Sequence, residues 1–485
     1  MVACVSTAIH QKINTLQSIK VNMKHSIKNL CYLLLLLLTG CTAAHKQSLN
    51  SPHLLPSTGG IVSIYLNVDQ PIQQDHITFD QLELCSDSVW YPLTSIENIR
   101  STNVIKQKLI AVDSVPTGII SKIRFRVEIT DQEGNKEVSQ HSELSLTEPF
   151  ELHNGSSQCL FLHGQLHLAR PNTPIQTWLT VSPQKAPLTD ELLYILCPEI
   201  HSIYLARMDQ YRIIAAYAVE GEVVEMKLDA TKRLLYLLDK KNLLIQRFDT
   251  TTQLMTDRIP LPLTESPQGL EISANGDTLF VTDPNNRQVL SINTYNGTLT
   301  NSVSVGYDPT RPHFFTHNGT DYLAILSKAD QQLIVLDTED LAPLYSVAAG
   351  QSPQDIIYAD QSLFVADEFN RQILLFEPET GQIRAKISTN GSPQRFAVDP
   401  LNQNILITLQ DQHAVTFLPF GQQMTVRKAP CGASPGDLKI SNNRQLLFVA
   451  NQTENQIIVL DLLSQQQIST LTIGATPTVL VIQEP

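Results

Sequence analysis

Six prolines mark a regular interval along the C-terminal part of the chain. They stand in Ser266-Pro267-Gln268, Arg311-Pro312-His313, Ser352-Pro353-Gln354, Ser392-Pro393-Gln394, Ser434-Pro435-Gly436 and Thr476-Pro477-Thr478, spaced by 45, 41, 40, 42 and 42 residues. After each of the first five come an apolar run, a turn and a second apolar run, such as Leu363-Phe364-Val365 or Leu447-Phe448-Val449. A third run follows, as in Gln332–Asp337 and Gln456–Asp461, and a weaker fourth leads to Gly306, Gly350 or Gly474. Four short strands in a repeat of this length fit a propeller blade, a unit that buries its faces only against its neighbours. Helical repeats of similar length would show a period of 3.6 residues, which these β-branched runs lack.

Two more divergent units precede the clear five, one from Glu222 through Leu234-Leu235-Tyr236, the other from Leu192-Leu193-Tyr194-Ile195 through Ser202-Ile203-Tyr204-Leu205. The count is therefore seven. The first unit lacks an opening strand and the chain ends in a spare one, Thr478-Val479-Leu480-Val481-Ile482. That last strand should complete the first blade and leave no open edge. Residues 59–182 read as a separate domain. Ile61-Val62-Ser63-Ile64-Tyr65-Leu66, Ile77-Thr78-Phe79 and Lys122-Ile123-Arg124-Phe125-Arg126-Val127 alternate with period two, as antiparallel strands with one buried face do. The expected fold class is all-β: an N-terminal antiparallel β-sandwich over 59–182, then a seven-bladed β-propeller over 190–485 closed by the C-terminal strand.

The blades resemble the YVTN family of seven-bladed propellers through Leu363-Phe364-Val365-Ala366-Asp367 and Leu447-Phe448-Val449-Ala450-Asn451. That family includes surface proteins, exported proteins of unknown role and some enzymes, so the resemblance implies the fold more than an activity. The stretch from Val115-Pro116-Thr117-Gly118 to Lys122-Ile123-Arg124 resembles an uncharacterised domain of bacterial lipoproteins with a transthyretin-like sandwich.

The N-terminus carries an address. Met23-Lys24-His25-Ser26-Ile27-Lys28-Asn29 is cationic, and residues 30–38 are apolar, with six leucines from Leu33. The run is too short to span a bilayer but suits the apolar core of a signal peptide. It ends in Leu38-Thr39-Gly40-Cys41, which resembles the bacterial lipobox. The resemblance implies cleavage before Cys41 and acylation of its thiol with palmitate-type chains. Each buried CH₂ then contributes about 0.8 kcal/mol to holding the protein at the bilayer. The expected organisation is a signal peptide over 1–40, with translation starting at Met23, and a lipidated tether over 41–58. Thr42, where Asp would imply inner-membrane retention, favours the outer membrane.

Residues 1–40 hold four lysines and no acid, so removing them takes the net charge from −13 to −17. A chain so acidic is a poor phosphate binder, and no nucleic-acid partner is expected. Beyond Cys41, the cysteines are Cys85, Cys159, Cys197 and Cys431. In an oxidising compartment they either pair, as Cys85 with Cys159 and Cys197 with Cys431, or stay buried as thiols.

No G-x-S-x-G, phosphate loop, H-E-x-x-H or C-x-x-C occurs, and no cofactor is expected. Trp90 and Trp178 both precede the propeller, which argues against a quinoprotein. His153, His163 and His167 form the densest histidine group and are weak candidates for copper or zinc. Polar residues at the proline turns should ring one mouth of the channel: Gln268, His313, Gln354, Gln394 and Arg395, with Asp283 and Asp367 nearby at the ends of second strands. Such a funnel suits recognition of an envelope protein or a small ligand. The function expected from these features is a lipid-anchored binding or scaffolding module of the cell envelope. The alternatives are a propeller hydrolase or lactonase, and metal handling by the sandwich.

Overall fold

The computed structural model describes residues 59–72, 77–96, 105–130, 136–170, 173–185, 191–262, 267–425 and 427–484. The expected signal peptide, Cys41 and the expected tether lie outside the described residues.

Eight strands build the sandwich: β1 (Gly59–Ile72), β2 (Ile77–Ser86), β3 (Val89–Pro92), β4 (Ile105–Pro116), β5 (Gly118–Thr130), β6 (Lys136–Leu152), β7 (Ser157–Gly164) and β8 (Leu179–Pro183). They form two four-stranded sheets, β4-β1-β7-β8 and β3-β2-β5-β6. Alternation decides what lies between them. On β5, Ile123, Phe125, Val127 and Ile129 are buried, while Arg124, Arg126 and Glu128 point outward. One pairing departs from the antiparallel pattern: β1 runs parallel to β7, from Ile61↔Ser157 to Val68↔Gly164. Parallel neighbours need a long crossover, which here is the passage through the second sheet.

Seven four-stranded antiparallel sheets follow, one per blade. Burial peaks in the second strands, between partly buried innermost strands and an exposed rim. The second strands of blade 5 (Ser362–Asp367) and blade 7 (Leu446–Asn451) are buried throughout, whereas the fourth strands (Pro343–Ala348 in blade 4) are mostly exposed. A short unbroken apolar run is what a strand covered on both faces requires. The innermost strands are Val479–Gln483 (blade 1), Val223–Asp229 (blade 2), Gly269–Ile272 (blade 3), Pro309–His317 (blade 4), Pro353–Ala359 (blade 5), Pro393–Asp399 (blade 6) and Pro435–Ser441 (blade 7). Each packs against the next around a closed ring. The ring shuts as expected: the C-terminal strand pairs with Leu192–Cys197 through Val479↔Leu196 and Val481↔Tyr194.

The two domains share a core. Val62, Ile64 and Leu66 of β1 face the sandwich interior, so Ile61 and Tyr65 face the other way, joining Cys159 and Phe161 of β7 and Ile195, Tyr204, Phe448 and Val459 of blades 1 and 7. Ser63 Oγ lies 2.7 Å from Tyr204 Oη, and Ser157 Oγ 2.6 Å from Ser202 Oγ. The outer strand of blade 1 (Arg212–Ala218) would otherwise be an open edge. Gln107 satisfies Ile213 there, accepting from its N–H and donating to its carbonyl, both at 2.8 Å. Gln184 does the same for Ala216, at 2.9 and 3.2 Å. The sandwich therefore caps the blade whose assembly depends on the last strand.

Cys85, Cys159, Cys197 and Cys431 are all buried free thiols, so the alternative of disulfides between Cys85 and Cys159 and between Cys197 and Cys431 is corrected. The reason is where each side chain packs. Cys159 joins Cys197 in the core between the domains, away from the second sandwich sheet that holds Cys85, while Cys431 packs with Leu438 and Leu447. Burial pushes the Cys431 thiol up to about 12 and those of Cys159 and Cys197 further, which keeps them protonated and unreactive.

Candidate functional site in the propeller channel

The repeated proline opens the innermost strand of a blade, and a β-bulge follows it. In blade 5, Pro353 pairs with Asp367 and Ile356 with Val365, so Gln354 and Asp355 both stand opposite Ala366. Gln394 and Arg395 do so opposite Thr408, and Gly436 and Asp437 opposite Ala450. A bulge re-aims side chains that strict alternation would separate.

Blade 4 corrects the sequence alignment. Its innermost strand begins at Pro309, paired with Ser327, and its bulge is Arg311-Pro312 opposite Ile325. Pro309 is thus the equivalent of Pro353. The second residue after the proline then reads Arg311, Asp355, Arg395 and Asp437 in blades 4 to 7. Blade 3 has Gly269 there, because a Cβ would lie 2.5 Å from the Pro312 ring.

These residues form an upper tier of charge with Glu225 of blade 2. A lower tier, one step further along the strands, holds Lys227, Glu271, His313 and Lys439. The ion pairs show that both tiers face the channel. Arg311 of blade 4 lies 4.0 Å from Glu225 of blade 2 and 4.0 Å from Asp355 of blade 5. Lys227 meets Glu271 at 2.9 Å and Lys439 meets Asp437 at 3.5 Å. A contact from blade 2 to blade 4 passes over blade 3 and must cross the axis. The tiers hold four acids, four lysines and arginines, and His313. Enclosure by seven blades does not exclude water, since the Lys227 side chain keeps 30% of its exposure.

The environment tunes each group. Burial opposes ionisation of Asp437, but Lys439, the Leu480 N–H at 2.9 Å, Arg311 and Arg395 outweigh it and hold the carboxyl below its usual range. Lys227 is likewise penalised by burial, yet Glu271 and Glu225 raise it above the ordinary lysine value. At the rim, Lys328 donates to Gln354 Oε1 at 3.1 Å. Burial first, then Arg395 and Arg311, push it down, against Asp308 and Asp355.

His313 sits in the lower tier, not on the mouth where it was expected, because the shifted bulge of blade 4 moves it inward. Its Nε2 accepts the Tyr358 N–H at 3.0 Å, and burial lowers its pKa. A histidine kept neutral in the fold charges more readily when unfolded, so stability is expected to fall as pH drops through the unfolded value of about 6.5. Chemical denaturation from pH 7.5 to 5.5 should show that slope, reduced in His313→Gln; an unchanged slope would remove His313 as its source.

The Asp283 and Asp367 carboxylates do not line the mouth where they were expected either. Both are fully buried. Asp283 accepts from Asn285 N, Asn286 N and Nδ2, and Gln288 Nε2. Asp367 accepts from Gln351 N, Ser352 N, Asn370 Nδ2 and Gln372 Nε2. Their lone pairs are used to hold the turns of the mouth in place. Gln268, Gln354, Gln394 and Arg395 do lie at the mouth. Gln268 is exposed; Gln354 donates to Ser352 Oγ and Glu368 Oε2; Arg395 donates to the Gln354 carbonyl at 3.3 Å. The Gln394 amide nitrogen is buried without a partner. Among the described residues no three His, Cys, Asp or Glu side chains gather as metal ligands, which separates His153, His163 and His167. His153 is exposed beside Glu151, and His163 contacts Ser182 at 3.0 Å.

Fold and channel together define the class: an all-β protein in which a β-sandwich packs on a seven-bladed propeller with a charged axial channel. No family model matches the chain, and no curated protein matches it. Among solved structures it is similar to a functionally unknown protein from Desulfotomaculum acetoxidans, with a TM-score of 0.53, 13% identity, and 61% of this chain and 100% of that one covered. It is also similar to Kuenenia stuttgartiensis hydrazine synthase (TM-score 0.49, 16% identity, 56% and 92% covered). Dihydro-heme d1 dehydrogenase NirN in complex with DHE aligns at a TM-score of 0.46, 11% identity, and 59% and 64% coverage. At such identities the likeness concerns the fold alone.

Proposed function

We propose that this chain is a YVTN-type exported lipoprotein, anchored to the outer membrane through acylated Cys41, whose propeller binds an envelope protein or small ligand at the channel mouth. The observation that carries the binding reading is the loosely held pair Arg311 and Arg395. Arg311 meets its carboxylates only at 4.0 Å, and Arg395 spends one donor on a carbonyl. Most of their N–H donors are uncommitted among the described residues, in a site where Lys328 adds a third cation. Guanidinium groups so placed suit the carboxylates of a partner or ligand.

The anchor is tested first. Cys41→Ser is expected to move the protein from the detergent-extracted membrane fraction to the soluble fraction, or to stall it uncleaved. Unchanged partitioning would refute the lipoprotein reading.

A second reading, hydrolysis of a lactone or related ester, is favoured by one feature: Glu225, Glu271, Asp355 and Asp437 are clustered in the channel. Each also holds a cation or a backbone N–H, so none stands ready as a free base. Turnover of a lactone panel, abolished in Asp355→Asn, would replace the binding reading with this one.

A further inference from the structure

Where the end of β7 meets the outer strand of blade 1, the sandwich and the propeller form an open cleft of about 360 Å³, lined by Asn67, His163, Gln165, Trp178, Thr180 and Arg212 among others. That volume is in the range of small-molecule sites. The groups in it are mostly donors. Arg212 donates to the Val68 carbonyl at 3.5 Å and forms no ion pair among the described residues. Asp209 lines a second cleft that shares Arg212 but is clamped by Arg207 at 2.6 and 2.8 Å. The buried indole N–H of Trp178 has no acceptor. Asn67 Oδ1 is occupied by Gln107 at 2.9 Å, which turns its amide N–H₂ away from that bond. The field agrees with the geometry: burial first, then Arg212 and Lys185, lower the pKa of His163, and burial alone lowers that of Arg212. A half-buried guanidinium with no ion pair among the described residues keeps N–H donors free for a carboxylate. The backbone that carries Arg212 is anchored, since the next residue, Ile213, is held on both backbone groups by Gln107.

We propose that this junction cleft is a binding site for a small organic carboxylate, held by the Arg212 guanidinium and His163. The site is separate from the channel, so its failure leaves the proposed function standing.

The detergent-purified full chain is titrated calorimetrically with succinate and, separately, inorganic phosphate at constant ionic strength. Succinate should bind saturably at one site per chain, at least tenfold more weakly in Arg212→Gln and less weakened in Arg212→Lys. Bound succinate should also raise the pKa of the His163 ring followed by NMR. Thr180→Tyr, which fills the cleft without touching the cation, should abolish binding and covers the case in which Arg212→Gln fails to fold. Absence of saturable succinate binding, phosphate binding alone, or equal affinity in Thr180→Tyr would each overturn the assignment.

Discussion

Deleting residues 476–485 is expected to unfold the propeller or lower its stability by roughly 5 kcal/mol or more. Val479, Leu480 and Val481 are buried, and each such side chain is worth about 2 kcal/mol. Their removal also uncovers Leu192, Tyr194 and Leu196, none of which is exposed now, and leaves the edge of Leu192–Cys197 unpaired. Tyr194 loses its hydrogen bond to Gln483 at 3.1 Å as well. A domain stable by about 5–15 kcal/mol has little reserve against that loss. Denaturant midpoints compared between the intact and truncated chains check it, with aggregation of the truncated chain as the accompanying sign of a bare edge. An unaltered midpoint would mean that the sandwich alone holds blade 1 in place.

Asp437→Ala should cost about 3 kcal/mol, more than any other single change in the channel. It strips Lys439, Arg311 and Arg395 of a shared counter-charge, and breaking one side of an enclosed ion pair is far costlier than never having built it. It also removes the acceptor of the Leu480 N–H, and with it a bond between blade 7 and the closing strand. Asp437→Asn keeps an acceptor and should recover part of the loss. Because the native carboxyl is held below its ordinary range, its contribution is present above about pH 3.9 and lost as pH falls below that value. Equal midpoints for wild type and Asp437→Ala would show that the channel charges are solvated rather than mutually braced.

The number of blades and their closure were legible because they depend on patterns every blade repeats: an apolar run, a turn, another run, and one strand too many at the end. The channel was not legible, for a reason that lies in blade 4. With Pro312 taken as its repeated proline, the residue two positions on is Phe314, and the alternation of charge disappears. With Pro309 it becomes Arg311, Asp355, Arg395, Asp437, a series that the sequence holds in plain order. What hides the register is a bulge placed differently in that blade. The burial of Asp283 and Asp367 was hidden by a different ambiguity. An acid ending a strand reads the same whether its carboxylate meets solvent or accepts four hydrogen bonds from the turns around it. The core between the domains escaped notice because period two tells which residues share a face, not what the face meets. Cys159 and Tyr65 lie on the outer face of their sheet and are buried only because blades 1 and 7 cover it.

The central claim, that the mouth of the channel is the recognition surface, is most directly tested by cross-linking in intact cells. Wild type is compared with Gln394→Ala/Arg395→Ala at the mouth, and with Tyr295→Ser/Leu463→Ser on exposed turns between third and fourth strands, which face the opposite side. Contacts near the centre of an interface dominate affinity, so the mouth variant should lose the partner that wild type captures while the opposite-face variant retains it. Loss of capture in the opposite-face variant alone would place recognition on the other side of the propeller and contradict the account.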